Sequence, residues 1–280
     1  MYKIAFTDID GTLLGPNRDL TPATISAVTQ LKDKIPFILV SSRMPRQMYH
    51  LQEDLEILDL PLIAYNGGYI SHNKKGLFSV EIPTAIVEKI VQYNQRDRQE
   101  RVHLSLFHAD QWYVEEMDYW ALREQTNTKA SPRIKSNKEV IELWKKEAVG
   151  AHKIMCMGEK EKIDQLWSYL EDEFSDQLHL YRSKDTYIEI ANKKISKLTG
   201  IQEILNQCFP QIKLSEAVAF GDNYNDIEML EGVGLGVAVA NAREEVKAVA
   251  DQITKNHKED GVAISLKNIF NTSLRNNSQE

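Results

Sequence analysis

The chain has 280 residues, of which 42% are hydrophobic and 27% charged, and its formal net charge is −7. This length suits two domains of ordinary size, and the composition excludes a disordered, collagen-like or coiled-coil protein. The negative charge argues against non-specific binding of nucleic acid or of an anionic membrane surface. An acidic protein that binds an anionic ligand needs local cations or a metal ion to do so.

Short apolar runs alternate with amphipathic segments in residues 1–82. Strands are predicted at Lys3–Thr7, Ile35–Val40 and Leu62–Ala64. Helices are predicted to begin at Thr21-Pro22 and at Pro45, because proline is favoured in the first turn of a helix and threonine at its N-cap. Continuous apolar strands separated by helices indicate a parallel sheet covered on both faces.

Residues 83–189 have a different pattern. Alternating apolar residues on either side of Ala109-Asp110 predict a β-hairpin, in which His103 and Phe107 share one strand face. Four helices are predicted in this segment, at about 83–98, 118–125, 138–147 and 159–174. Further strands are predicted at 153–157, 178–181 and 187–190. This segment also holds all four tryptophans of the chain, and we interpret it as an inserted α+β module.

The alternation of strands and helices returns after residue 190. Strands are predicted at Ala217–Phe220, Leu235–Val239 and Gln252–Thr254, with helices around 201–205, 227–230, 244–250 and 262–269. The predicted fold is therefore α/β: a Rossmann-like parallel-sheet core formed by 1–82 and 190–280, interrupted by an inserted α+β domain at 83–189.

The clearest chemical signal is the string Asp8-Ile9-Asp10-Gly11-Thr12-Leu13-Leu14 directly after the first strand. Ligands of parallel α/β sheets bind beyond the carboxyl ends of the strands. Two carboxylates at this position that converge on one hard cation would suit Mg²⁺, which prefers oxygen ligands. An Asp-Gly pair alone is a common turn, but the complete string after a buried strand favours the metal interpretation.

A second acidic loop, Gly221-Asp222-Asn223-Tyr224-Asn225-Asp226, follows the strand at 217–220. Alone it could equally be a turn that caps a helix. Two acidic loops at one edge of a sheet repel each other unless a cation lies between them, so the pair favours a metal site. Ser41 and Ser42 follow the second strand and could hold a phosphate oxygen. Lys197 lies at the entry to a helix, but spacing alone does not distinguish it from the other basic residues.

These segments, in this order, resemble the haloacid dehalogenase (HAD) superfamily, and specifically its Cof-type sugar-phosphatase branch with a large α/β cap. The resemblance covers the core, residues 1–82 and 190–270. It implies that Asp8 is the nucleophile, that Asp10 is the acid–base, and that Asp8, the Asp10 carbonyl and Asp222 bind Mg²⁺. It also implies that Asp226 orients Lys197 or metal-bound water. The phosphate contacts that it implies are the Ile9 amide, Ser41, Ser42, Lys197 and Asn225.

Two residues depart from the pattern of that branch: Ser42 and Leu198 stand where glycine is usual. Both lie where backbone approaches phosphate, so affinity for phosphate or loop geometry could differ. By resemblance the function is hydrolysis of small phosphomonoesters, such as sugar phosphates, flavin mononucleotide or pyridoxal phosphate, with the cap setting substrate choice. A phosphomutase-like phosphotransferase is an alternative, and a non-catalytic phosphate-binding or receiver-like protein is a third.

The sequence also predicts where the protein works. No apolar run approaches the ~18–20 residues that span a bilayer, and the acidic N-terminal segment does not resemble a secretory signal. Cys156 and Cys208 lie far apart and have no metal-binding spacing, which favours two reduced thiols. We therefore expect a cytoplasmic enzyme with a small phosphorylated metabolite as its partner, and no nucleic acid or membrane.

Overall fold

A computed structural model describes residues 1–276 of the chain. The chain divides into two compact units. The core unit comprises Met1–Phe78 and the chain from Ser196 onward, and the inserted unit is Ser79–Ile195. Within residues 1–276, no helix is long and apolar enough to cross a membrane.

Strands and helices alternate over most of the core unit, whereas the inserted unit has both in irregular order. The strands are β1 (Ile4–Thr7), β2 (Phe37–Leu39), β3 (Leu62–Ala64), β4 (Tyr69–His72), β5 (Lys75–Ser79), β6 (His103–His108), β7 (Gln111–Val114), β8 (Arg133–Ile134), β9 (Lys153–Met157), β10 (Leu178–Lys184), β11 (Tyr187–Asn192), β12 (Ala217–Gly221), β13 (Leu235–Ala238) and β14 (Gln252–Ile253). The α-helices are α1 (Pro22–Thr29), α2 (Tyr49–Asp54), α3 (Thr84–Gln95), α4 (Tyr119–Thr128), α5 (Asn137–Glu147), α6 (Lys160–Phe174), α7 (Lys197–Cys208), α8 (Ile227–Gly232), α9 (Glu244–Val249) and α10 (Gly261–Asn276).

The core unit contains a parallel sheet of five strands in the order β14-β13-β12-β1-β2. Thr7, the last residue of β1, pairs with Phe220 of β12 on one side and with Leu39 of β2 on the other. β1, β2 and β12 are buried along their whole length, as expected for strands covered on both faces. Their carboxyl ends therefore meet at one edge of the sheet, where the loops that follow them can share a site.

The second predicted strand is shorter than expected and is followed by a small additional sheet. Val40 leaves β2 and forms an isolated parallel bridge with Ile63. β3, β4 and β5 then form a three-stranded sheet, of which only β3 is predicted from the sequence. β5 has no alternation of apolar residues to indicate a strand, and four of its five residues are exposed.

The inserted unit is built on a six-stranded sheet in the order β10-β11-β9-β6-β7-β8. The predicted hairpin is present, with Phe107 of β6 opposite Trp112 of β7. Leu104 and Leu106 of β6 belong to the hydrophobic core of this unit, which also includes residues of α3, α5 and α6. Because side chains alternate along a strand, Phe107 lies on the opposite face of the sheet.

The expected α/β class with a parallel-sheet core is confirmed.

Candidate active site

The predicted acidic and hydroxyl residues of the core unit follow strands that end at the same edge of its sheet. Asp8 comes directly after β1, and its backbone N–H donates to the carbonyl of Phe220 in β12. Ser41 follows β2, and Asp222 follows β12. Lys197 is the first residue of α7, whose N-cap, Ser196, accepts a hydrogen bond from the Thr199 N–H.

Lys197 is the central cation of this site. Its ammonium group donates to a carboxylate oxygen of Asp8 at 2.5 Å and to one of Asp226 at 2.6 Å. Its side chain has no exposure to solvent. Burial alone lowers the pKa of a lysine, but the charges of Asp226 and Asp8 outweigh burial and raise the pKa of Lys197 above its ordinary value. Lys197 is therefore held as a buried cation next to Asp8.

Asp226 is fully buried, and both of its carboxylate oxygens are occupied. One oxygen contacts Lys197, and the other accepts hydrogen bonds from the backbone N–H groups of Asp222 and Asn223, each at 2.9 Å. Asp226 thus shapes the loop that carries Asp222 while it holds Lys197 in place. Both oxygens of Asp226 already have hydrogen-bond partners, whereas Asp8 and Asp222 each have one carboxylate oxygen without a partner among residues 1–276.

Asp222 is fixed by residues of the first acidic loop. The Thr12 hydroxyl donates to Oδ1 of Asp222 at 3.0 Å. Gly11 has a φ of +86°, and a Cβ at this position would lie 2.5 Å from Oδ2 of Asp222, so only glycine allows this approach. Burial, together with the charge of Asp226, raises the pKa of Asp222 to about 6.

The carboxylates form a group that fits a divalent cation. Oxygens of Asp8, Asp222 and Asp226 lie within 4.8 Å of one another. Oδ2 of Asp8 and Oδ2 of Asp222 have no hydrogen-bond or ion-pair partner among residues 1–276. Burial raises the pKa of Asp8 well above its ordinary range, although Lys197 acts in the opposite direction. A hard cation would relieve this repulsion, and an all-oxygen donor set suits it.

Asp10 lies apart from this group and is held by two arginines. Arg43 donates to both of its carboxylate oxygens, from Nε at 2.7 Å and from Nη2 at 2.8 Å, and Arg18 donates to Oδ1 at 3.1 Å. Burial acts to raise the pKa of Asp10, but Arg43 and then Arg18 lower it below its ordinary value. Two arginines therefore favour the carboxylate form of Asp10, and neither contact was predicted from the sequence.

A hydrogen-bonded network joins two of the predicted phosphate contacts, Ser41 and Asn225. The carbonyl of Ser41 accepts from the Asn66 N–H at 2.9 Å, and the Asn225 amide donates to the Asn66 side chain at 3.0 Å. The Ser41 hydroxyl is buried and accepts from the Arg43 N–H. Ser42, which comes next, is partly exposed, whereas Ile9 is fully buried. Asn66 thus connects the loops after β2 and β12.

Four residues of the site were missed by reasoning from the residues alone. Arg43 directly follows the two predicted serines, so its position was a usable signal, and Thr12 lies within the first acidic string. Asn66 precedes Gly67, whose φ is +103° and which packs against the Ser196 carbonyl. Arg18 lies in a loop without any chemical pattern. The missed residues are Thr12, Arg18, Arg43 and Asn66.

A second group of metal-ligating side chains lies in the inserted unit. Ligand atoms of Glu81, His108 and His152 lie within 4.8 Å of one another. However, the Ala109 N–H donates to Nδ1 of His152 at 3.0 Å, so the proton of the neutral ring lies on Nε2, which donates to Ser79. His152 then has no free lone pair toward the other two residues, and this group is a hydrogen-bonded cluster.

Comparison with known proteins identifies the family. The model of the haloacid dehalogenase-like hydrolases matches residues 5–266. The chain belongs to this family.

Individual relatives of this HAD hydrolase support a narrower activity. A Haemophilus influenzae protein assigned as a phosphatase is 30% identical over 277 residues, which cover 96% of this chain and 99% of the relative. The 5-amino-6-(5-phospho-D-ribitylamino)uracil phosphatase of Bacillus subtilis is 27% identical over 96% of this chain and 97% of its own. A crystal structure from Thermotoga maritima has a TM-score of 0.85 at 28% identity, covering 96% of this chain and 97% of the other. The protein is a hydrolase of phosphoric monoesters.

Proposed function

We propose that this HAD hydrolase is a Mg²⁺-dependent phosphatase that hydrolyses small phosphomonoesters through an aspartyl-phosphate on Asp8. The observation that carries the proposal is the position of the buried Asp8 carboxylate, 2.5 Å from the Lys197 ammonium group. An anionic nucleophile beside a buried cation can accept a phosphoryl group, because the cation offsets the negative charge that the substrate brings.

In the first step, an Asp8 carboxylate oxygen attacks phosphorus, and the bond from phosphorus to the ester oxygen breaks. The departing oxygen takes a proton from Asp10. Lys197 stabilises the negative charge on the phosphoryl oxygens, and Asp226 keeps Lys197 charged and in place. Arg43 and Arg18 disfavour the protonated form of Asp10, so this acid step is the more demanding of the two.

In the second step, a water molecule attacks phosphorus and transfers a proton to Asp10. The bond between phosphorus and the Asp8 oxygen breaks, which releases inorganic phosphate and regenerates the Asp8 carboxylate. The carboxylate form of Asp10 that the two arginines favour is the form that this step requires. Positioned acid–base groups of this kind typically contribute ~10²–10⁴-fold to the rate.

Mg²⁺ is the cation that we assign to the acidic group. The Asp8 and Asp222 carboxylates, with the backbone carbonyl of Asp10, would hold it. Two of these carboxylate oxygens have no other partner among residues 1–276. When bound, the ion would neutralise charge on the phosphoryl group and on the carboxylates around it.

The phosphate contacts that we assign surround this group. They are the Ile9 amide, Ser41, Ser42, Lys197 and Asn225. The Ser41–Asn66–Asn225 network supports the assignment, since it links two loops at one sheet edge without occupying the Ser41 hydroxyl proton. Ser42 and Leu198 stand where the Cof-type branch usually has glycine. Their side chains would alter how closely the backbone approaches the phosphate.

For the substrate, we propose a small phosphorylated metabolite, such as a sugar phosphate or a cofactor phosphate like flavin mononucleotide or pyridoxal phosphate. The Bacillus subtilis relative named for a phosphoribitylamino-uracil supports this class. We assign catalysis to the core unit and substrate choice to the inserted unit. A cytoplasmic location, and the lack of nucleic-acid and membrane partners, stay predictions.

The experiment that tests this function measures phosphate release from p-nitrophenyl phosphate and from a panel of sugar and cofactor phosphates. The wild type is assayed with Mg²⁺ and with EDTA, beside Asp8→Asn. We expect turnover only in the wild type with Mg²⁺. Turnover by Asp8→Asn would exclude Asp8 as the nucleophile, and isomerised product without free phosphate would indicate a phosphomutase.

A further inference from the structure

The two arginines that hold Asp10 differ in their surroundings. The Arg43 side chain is 10% exposed and forms a two-nitrogen contact that already occupies both Asp10 oxygens. Its Nη1 donates to the Gln47 carbonyl, which anchors the guanidinium further. Arg43 alone is therefore sufficient to fix the orientation of the Asp10 carboxylate.

Arg18 adds one longer contact and remains open to solvent. Its Nη2 donates to Oδ1 of Asp10 at 3.1 Å, and its side chain is 58% exposed. Among residues 1–276, its Nε and Nη1 groups have no hydrogen-bond or ion-pair partner. An exposed ion pair with a single hydrogen bond contributes little to stability, so holding Asp10 does not account for Arg18.

The backbone around Arg18 forms a closed turn. The Gly15 N–H donates to the Asp19 carbonyl, and the Arg18 N–H donates to the Gly15 carbonyl, both at 3.0 Å. Arg18 has a φ of +60°, in the left-handed region that residues with a Cβ seldom adopt. The turn nevertheless carries an arginine there, and its guanidinium reaches Asp10. Such local strain is common at binding sites.

The chemistry of Asp10 gives this guanidinium a substrate group to contact. In the proposed function, on which this inference rests, Asp10 protonates the leaving oxygen, so the leaving group lies beside the Asp10 carboxylate. Arg18 contacts that carboxylate and presents free N–H donors to solvent. A guanidinium matches the two oxygens of a carboxylate or a phosphate better than it matches a neutral hydroxyl group.

We propose that Arg18 is a specificity-determining residue that binds an acidic substituent on the leaving group. The substrates favoured would be phosphomonoesters whose alcohol carries a carboxylate or a further phosphate close to the ester oxygen. An acidic leaving group would otherwise be repelled by Asp8, Asp10 and Asp222, and Arg18 supplies the exposed cation that offsets this repulsion.

The test compares esters that differ only in a carboxylate. Glycerate 2-phosphate is paired with glycerol 2-phosphate, and glycerate 3-phosphate with glycerol 3-phosphate. In each pair, the ratio of kcat/KM for the acidic ester to that for the neutral ester is measured in the wild type, Arg18→Gln and Arg18→Lys. We compare ratios because an effect of Arg18 on Asp10 itself would change kcat/KM for both esters by the same factor and leave the ratio unchanged.

We expect the wild type to prefer the acidic ester in at least one pair, and Arg18→Gln to lower that preference by about tenfold or more. The preference of Arg18→Lys should lie between those of the wild type and Arg18→Gln, since lysine keeps the charge but cannot form a bidentate contact. Arg98→Gln, at an exposed arginine of the inserted unit, makes the same change in net charge and should keep the wild-type ratio.

Two results would overturn the inference: no preference for the acidic ester in either pair, or a preference that survives in Arg18→Gln. A failure of the proposed function is recognised separately, because Asp8→Asn would then retain turnover of all four esters.

Discussion

The Lys197 ammonium group lies between two carboxylates of the core unit, 2.5 Å from Asp8 and 2.6 Å from Asp226, with no exposure to solvent. Asp226 is equally buried. A buried cation that shares two carboxylates is costly to disrupt, because removing it leaves negative charges without compensation. This relationship links the stability of the site to its proposed chemistry.

We predict that Lys197→Met abolishes most activity and destabilises the core unit. The loss in kcat should be about 10²–10³-fold or more, as for other groups that stabilise transition-state charge. The free energy of unfolding should fall by about 3–5 kcal/mol, because Asp8 and Asp226 lose their shared partner. Urea denaturation and steady-state kinetics measure the two effects.

The double variant Lys197→Met/Asp226→Asn is the matched control. It should recover part of the lost stability but none of the activity, since one uncompensated charge is gone while the cation beside Asp8 is still missing. Full activity in Lys197→Met would show that Lys197 has only a structural role.

We predict that Asp222→Asn weakens Mg²⁺ binding. The Mg²⁺ concentration for half-maximal activity should rise by about tenfold or more, because the site loses a charged oxygen ligand. An independent readout is thermal unfolding, in which Mg²⁺ should raise the Tm of the wild type more than that of the variant. Asp33→Asn changes an exposed carboxylate and is the control, which should behave like the wild type. If Mg²⁺ raised the Tm of Asp222→Asn as much as that of the wild type, the metal assignment would be contradicted.

We predict that Arg43→Lys impairs the acid step selectively. Lysine keeps the charge but cannot contact both Asp10 oxygens as Arg43 does. The kcat for an alkyl phosphate should fall by about tenfold or more, and that for p-nitrophenyl phosphate by less, because p-nitrophenolate departs without a proton. Equal losses on both esters would indicate that Arg43 does not act through Asp10.

We predict that the inserted unit loses stability below pH 6.5, in part through His152. Burial, and then the charge of His108, lowers the pKa of His152 well below its ordinary value. Protonation would also place a proton on Nδ1, where the Ala109 N–H now donates. Above pH 6.5 the ring is neutral in both the folded and the unfolded chain, so the stabilisation is fully present. As the pH falls, the unfolded chain binds a proton that the folded chain does not, and stability is lost by up to ~1.4 kcal/mol per pH unit.

Tryptophan fluorescence measures this effect selectively, because all four tryptophans lie in the inserted unit. Urea denaturation at pH 7.5, 6.5 and 5.5 should show a smaller pH dependence in His152→Gln than in the wild type. The difference between the two proteins isolates His152 from His103, whose pKa burial also lowers. Identical slopes would rule out a contribution from His152.

Much of the fold and the location of the site could be predicted from local patterns. The strands that carry Asp8 and Asp222 are continuous apolar runs, and such runs indicate buried parallel strands wherever they occur. Because carboxyl ends of parallel strands meet at one sheet edge, the loops that carry Asp8, Ser41 and Asp222 could be placed together before any contact was known. The strands β4 and β5 were missed: β5 is exposed and lacks the apolar periodicity on which the prediction depends, and β4 has only four residues, of which two are buried.

The side-chain pairings of the site could not be predicted from local patterns. Lys197 and Asp8 are separated by 189 positions, and one lysine among many at a helix entry has no local mark. Asp10 could be singled out from its motif and Arg43 from its position after the two serines, but the pairing of Asp10 with Arg43 and Arg18 could not be predicted, because the direction of a side chain depends on neighbours that are distant in sequence. Asn66, which joins the loops of Ser41 and Asn225, is another such case.

The sequence by itself determined the α/β class of this protein, the edge of the sheet where its candidate site lies, and the residue types available there, because apolar periodicity and strand order are local properties. The tertiary structure decided which charged groups form hydrogen-bonded ion pairs: Lys197 with Asp8 and Asp226, and Asp10 with Arg43 and Arg18. Electrostatic interactions depend on distances and burial, and these are properties of the folded chain alone.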